Sequence, residues 1–116
     1  MLINFTIDHF RSFGVEQTLN MVATALKDHP GHCVETPGTE KSVLQIGVIY
    51  GANASGKSNL VKAMQFAQYM IRGGTTLKGL VQNRFRFVKK PKPASFEFRF
   101  VAGGQVFVYG FTITQE

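Results

Sequence analysis

Gly51-Ala52-Asn53-Ala54-Ser55-Gly56-Lys57-Ser58 decides how this chain is read. The octapeptide satisfies G-x-x-x-x-G-K-[ST], and both flanks suit that pattern. Before it, Val43-Leu44-Gln45-Ile46-Gly47-Val48-Ile49-Tyr50 is an almost continuous apolar run, which predicts a parallel strand buried on both faces. After it, a helical period from Lys57 to about Arg72 sets Leu60, Met64, Ala67 and Ile71 on one side. Lys62, Gln65, Gln68 and Arg72 lie on the other. Successive backbone N–H groups in such a loop form a nest for an anion. The helix that starts there adds its unpaired N–H groups and positive dipole end. Gly51 and Gly56 permit the turn and a close approach of backbone to ligand. The pattern therefore predicts a nucleoside triphosphate site, with Lys57 bridging the β- and γ-phosphates and the Ser58 hydroxyl holding Mg²⁺. A glycine turn that binds nothing is the bland alternative, and the strand-then-helix context weighs against it.

Outward from the loop, the N-terminal segment alternates. Ile3, Phe5 and Ile7 face one way and Asn4, Thr6 and Asp8 the other, as in a half-buried strand. His9-Phe10-Arg11-Ser12-Phe13-Gly14 interrupts it, and Glu16 to Ala23 resumes, so residues 1–23 are expected to form an antiparallel ribbon bent at Phe-Arg-Ser-Phe. Residues 24–42 read as a loop, with turn signals at Pro30-Gly31 and Pro37-Gly38. His29, His32 and Cys33 cluster there, but their spacing matches no complete zinc-ligand set. The strand–loop–helix unit spans 43–72 and stops at Gly73-Gly74. Residues 84–114 then read as antiparallel strands. Phe85 and Phe87 alternate with Arg84 and Arg86, and Phe96, Phe98 and Phe100 with Ser95, Glu97 and Arg99. Gly103-Gly104 supplies a tight turn, and Phe107, Tyr109, Phe111 and Ile113 form one face of the returning strand. At this spacing the phenylalanines read as the buried side of a meander and not as a base-stacking platform.

Bulk properties narrow the class. A length of 116 residues fits one domain, and 44% hydrophobic content with 12 glycines suits an α/β fold. One cysteine excludes an internal disulfide and fits a reducing cytosol. No segment has the length of a membrane span or the pattern of a signal peptide, so a cytoplasmic protein without membrane contact is expected. The net charge of +6 permits contact with DNA or RNA. Its local source is Arg84, Arg86, Lys89, Lys90 and Lys92, a cluster that also reads as a solvated turn.

Phe10-Arg11-Ser12-Phe13, followed some forty residues later by Gly51-Ala52-Asn53-Ala54-Ser55-Gly56-Lys57-Ser58-Asn59-Leu60, resembles the start of SMC/RecF/ABC-like ATPase heads. Within that group the chain is most similar to bacterial AAA-family ATPases related to the OLD and abortive-infection proteins. The resemblance implies an α/β P-loop NTPase fold, here the first, incomplete lobe of a head whose remainder would lie beyond residue 116. It implies ATP and Mg²⁺ as ligands, with Gly51, Asn53, Ala54, Ser55, Gly56, Lys57, Ser58 and Asn59 around the phosphates. Arg11 and Ser12 match the ribbon position near the nucleotide, where a guanidinium would make charge-assisted contacts. Ala54 stands where the wider group commonly has glycine, and ordinary backbone dihedrals are expected there.

Hydrolysis in this group also needs an acidic strand for Mg²⁺, a carboxylate that activates water and a signature motif from a second head. Downstream of Ser58 the only acidic residues are Glu97 and Glu116, neither suitably placed, and Gln82 comes too early for a Q-loop. The expectation is at most weak nucleotide binding, and no turnover, by this stretch alone. In the intact protein the group's behaviour implies pairing of two heads and a nucleic-acid-directed defence or DNA-maintenance activity. Two other readings stay open: a transporter cassette, in which Phe10 or Phe13 stacks on adenine, and a non-hydrolysing nucleotide- or nucleic-acid-binding remnant.

Overall fold

The computed structural model describes residues 1–24, 28–74, 83–90 and 92–114. Its centre is a four-stranded antiparallel sheet in the order β2-β1-β5-β6, formed by β1 (Leu2–Asp8), β2 (Gln17–Asn20), β5 (Ala94–Ala102) and β6 (Gln105–Ile113). Strands β3 (Cys33–Glu35) and β4 (Ser42–Leu44) make a separate antiparallel pair. Helix α1 (Lys57–Ile71) packs on the larger sheet.

Alternation in the sequence is what seats the sheet. Ile3, Phe5 and Ile7 of β1 are buried while the residues between them are partly exposed. In register with them, Phe5 lies opposite Phe98 and Ile7 opposite Phe96, and across the next pair Phe96 meets Phe111. The ring centroids of Phe5 and Phe98 are 4.6 Å apart and those of Phe96 and Phe111 are 5.2 Å apart, within the range of favourable aromatic pairs. On the other face, hydroxyl pairs cross the strands at Thr6–Thr18 (2.9 Å) and Ser95–Thr112 (3.3 Å). The β5–β6 hairpin turns through Gly103 at φ 55° and Gly104 at φ 74°. Both central residues are left-handed, as a two-residue hairpin with right-handed strand twist requires.

Helix α1 approaches through small side chains. Ala63 and Ala67, four residues apart and wholly buried, let its backbone come close to Phe5, Phe10 and Phe96, while Leu60, Met64 and Phe66 fill the margins. Ile71, expected on the buried side, is exposed, because the contact is centred on the Ala63–Ala67 row and ends before the last turn. Gly73 (φ 91°) and Gly74 close the helix, with N–H groups donated to the carbonyls of Met70 and Tyr69.

Four expectations are corrected. The predicted buried parallel strand over Val43–Tyr50 is a strand only at Ser42–Leu44, and there it is antiparallel to β3. Residues 45–50 are exposed, Tyr50 to 91%. A strand exists only through its partners, and no described residue offers Ile46–Tyr50 a parallel neighbour. The loop expected over 24–42 contains a 3₁₀ turn at Pro30–His32 and strand β3. The alternating strand expected from Arg84 to Phe87 is reduced to one bridge, Phe10 with Arg84. In the hairpin, burial fades toward the turn: Phe96 is buried, but Phe107 is 44% exposed, because α1 stands off that end and leaves an open cleft between Gln68 and Ile71 on the helix and Phe100 and Tyr109 on the sheet. The segment 75–82 with Gln82, together with Glu116, lies outside the described residues.

Candidate functional site

Residues 51–58 form a tight exposed loop that runs directly into α1. Gly56 is the residue before the first helical turn, at φ 96° and ψ 0°. This left-handed conformation is open to glycine without penalty. Ala54 adopts φ 63°, which corrects the expectation of ordinary dihedrals at that position. The turn geometry, closed by the Ser55 N–H on the Ala52 carbonyl (3.3 Å), overrides alanine's preference. For an L-residue the left-handed region costs about 1–2 kcal/mol, and residues held there tend to cluster at functional sites.

Lys57 reaches back across the loop. Its Nζ donates to the carbonyls of Gly51 and Ala52, each at 2.6 Å, and to Ser55 Oγ at 3.2 Å. The three donors of the ammonium are thus occupied by the loop's own oxygens, and its charge is fixed above the helix N-terminus. No acidic residue occupies the first turn of α1, and no side chain caps it. The Lys57 and Ser58 N–H groups open the helix without intrahelical acceptors. Electrostatically the place is all donor: a fixed cation, helix-end N–H groups and a positive dipole terminus. Asn53 and Ser58 are exposed on the same loop.

The Phe-Arg-Ser-Phe bend comes to this loop, although some forty residues separate them. Asn59 Nδ2 donates to Ser12 Oγ at 2.9 Å. A Cβ built on Gly56 would lie 3.3 Å from the same oxygen, so only a residue lacking a side chain seats comfortably against Ser12. The bend itself is unusual: His9 at φ 51° and Arg11 at φ 52° flank Phe10, which is wholly buried. Phe10 and Phe13 exchange backbone hydrogen bonds that pinch the bend shut. Arg11 donates its backbone N–H to the Asn83 carbonyl, and its guanidinium carbon lies 6.0 Å from the Phe10 ring centre. Arg84 and Arg86 are brought beside Arg11, while Lys89, Lys90 and Lys92 are exposed but do not line the same cleft. His29 and His32 stack ring on ring at 5.1 Å, and no metal-binding group of three or more ligands occurs among the described residues.

Sequence reasoning missed Phe87 and Gly14. Phe87 was expected to alternate in a strand, but it projects into solvent beside Arg86 at 90% exposure. The nearby Lys-Lys-Pro-Lys-Pro run, with prolines that supply no ladder N–H, was the signal against that strand. Gly14 has no side chain because the Phe85 ring fills the space, 2.4 Å from where a Cβ would stand.

The family described as "AAA domain, putative AbiEii toxin, Type IV TA system" matches residues 46–116, well over half of the chain. The chain belongs to that family. As an AAA-domain protein it is ATPase-like, and its helix-and-strand architecture with antiparallel sheets is compatible with a P-loop NTPase. The match takes in the whole glycine loop and α1, whereas the Phe-Arg-Ser-Phe bend of this AAA chain lies outside it. Neither the curated proteins nor the solved structures gave a match. No helix among the described residues is long and apolar enough to cross a membrane.

Proposed function

We propose that this chain binds ATP with Mg²⁺ through the loop Gly51–Ser58. The observation that carries the reading is the position of Lys57 Nζ, held by the Gly51 and Ala52 carbonyls directly over the N-terminus of α1. A polyphosphate entering there would meet the ammonium and the N–H groups of Asn53, Ala54, Gly56 and Lys57, with that of Ser55 if it leaves the Ala52 carbonyl. Ser58 would present its hydroxyl to Mg²⁺, and Asn59 would stand at the exit of the cradle. The donor set fits the ligand: it is cationic and hydrogen-bond donating, with no carboxylate in the first helical turn to repel a phosphate. Arg11 and Ser12, held against the loop through Asn59, would lie next to the nucleotide.

The wider role follows from the resemblance to SMC- and ABC-like heads. In the intact protein two heads would pair across ATP and drive a defence or DNA-maintenance activity directed at DNA or RNA, in the cytoplasm. Of the basic cluster, Lys89, Lys90 and Lys92 are exposed and stand outside the cleft that Arg84 and Arg86 line, and they would carry the contact with nucleic acid. Against the transporter reading, Phe10 is wholly buried and Phe13 is partly buried against the core, which leaves little ring surface in the ribbon for a base.

Binding of MgATP to the parent chain and to Lys57→Ala, measured by calorimetry, tests the loop. Removing the ammonium should weaken binding by about tenfold or more, the scale of a charge-assisted hydrogen bond. Equal affinities would refute the role given to Lys57.

A further inference from the structure

Next to the glycine loop lies a smaller cleft of about 280 Å³, lined by Arg11, Ser12, Asn59, Arg84, Arg86 and Phe87. Three distant parts of the chain build it: the bend between β1 and β2, the first turn of α1 and the segment 83–87. Each is pinned to the next. Asn59 is bonded to Ser12, Arg11 N–H to the Asn83 carbonyl, and Phe10 is bridged to Arg84. Phe85 anchors the last segment by filling the space at Gly14 and meeting His9 edge-on at 6.2 Å. The cleft is therefore part of the fold and not an accident of loose loops.

Its chemistry is one-sided. Three guanidinium groups line it and no carboxylate does. Arg11 Nε is buried with no hydrogen-bond partner, a costly state for a charged group's donor. Phe87 leaves its ring almost wholly in water, where it gains little from folding. Phe87 meets Phe85 edge-on at 5.7 Å, a contact that leaves most of its ring open, and no described residue satisfies Arg11 Nε.

We infer that this cleft receives the nucleoside end of the nucleotide, with Phe87 stacking on the base and Arg11, Arg84 and Arg86 facing the ribose and the nearest phosphate. The inference rests on the reading that loop 51–58 holds the phosphates. A nucleoside triphosphate is anionic at one end and a flat π-surface at the other. The protein offers both complements side by side: Lys57 and the helix end at the loop, and three guanidinium groups with an open aromatic ring in the cleft joined to it through Ser12 and Asn59. Stacking on an aromatic ring is tolerant of base identity. With the base held by stacking and the arginines on the ribose and phosphate, ATP and GTP are held alike.

The test compares MgATP, MgGTP and inorganic triphosphate as ligands of the parent chain, Phe87→Ala and Lys57→Ala. Phe87 is so exposed that its truncation leaves the fold intact, which a circular dichroism melt verifies. Phe87→Ala should weaken ATP and GTP by about five- to a hundredfold, the range of one base stack, and leave inorganic triphosphate unchanged. Phe87→Tyr should restore the parent affinity. If Phe87→Ala binds ATP as the parent does while Lys57→Ala does not, the cleft is not the nucleoside site and the loop keeps its role. If the parent binds neither ATP nor inorganic triphosphate, both readings fall. A thymidine oligonucleotide whose binding, but not that of ATP, is lost in Phe87→Ala would assign the cleft to a nucleic-acid strand and overturn the inference.

Discussion

Ala54 is the residue at which local preference and local geometry disagree most openly. It holds φ 63° in a loop whose other left-handed position, Gly56, has no side chain to object. Replacing it with glycine removes the steric cost but loosens the unfolded chain, and the two effects oppose each other. The expected net result for Ala54→Gly is a stabilisation of at most about 1 kcal/mol, read as a shift of the urea midpoint at unchanged slope. A destabilised Ala54→Gly would mean that the alanine methyl makes a contact worth more than the strain. Gly14 is the opposite case. Its Cβ would sit inside the Phe85 ring, so Gly14→Ala should cost about 1–3 kcal/mol by overpacking. Adding Phe85→Leu should recover part of that loss; a double variant no better than Gly14→Ala would mean the clash is relieved elsewhere.

At the scale of elements, legibility in the sequence followed periodicity. The alternation of β1 and of Phe96–Phe100, the Gly-Gly turn and the helix after Lys57 are all local signals, and each element stands where its pattern lies. The octapeptide is local too: eight consecutive residues fold into one loop that leads into α1 and closes on Lys57. What was not legible depended on partners. Val43–Tyr50 has the composition of a buried strand, yet composition cannot supply a neighbour, and the run is exposed after Leu44. Arg84-Phe85-Arg86-Phe87 alternates like a strand, but Phe85 turns in to Gly14 while Phe87 turns out, since the segment is held by one bridge and not by a ladder. The cleft beside the loop needed three segments to be brought together, and no window of sequence contains all three.

For the molecule as a whole, stability is concentrated where α1 crosses the sheet. Phe5, Phe10 and Phe96 are the largest wholly buried side chains, and all lie under Ala63 and Ala67. Phe10→Ala should cost about 3–5 kcal/mol, enough to unfold a small domain outright. Phe107→Ala, at the uncovered end of the hairpin, should cost no more than about 1 kcal/mol. Thermal melts of the two variants would decide, and similar losses in both would show that the hairpin end carries more of the core than its exposure implies.

The grip of the Gly51 and Ala52 carbonyls on Lys57 has one more effect. A long cationic side chain normally forfeits rotational entropy when it closes on a ligand, about 2 kcal/mol for a lysine. Here that forfeit belongs to folding, so on the reading proposed above an arriving anion would find the ammonium already immobilised and would need only to exchange with the loop oxygens that hold it. Capture would then resemble docking into a mould more than the closing of a hand.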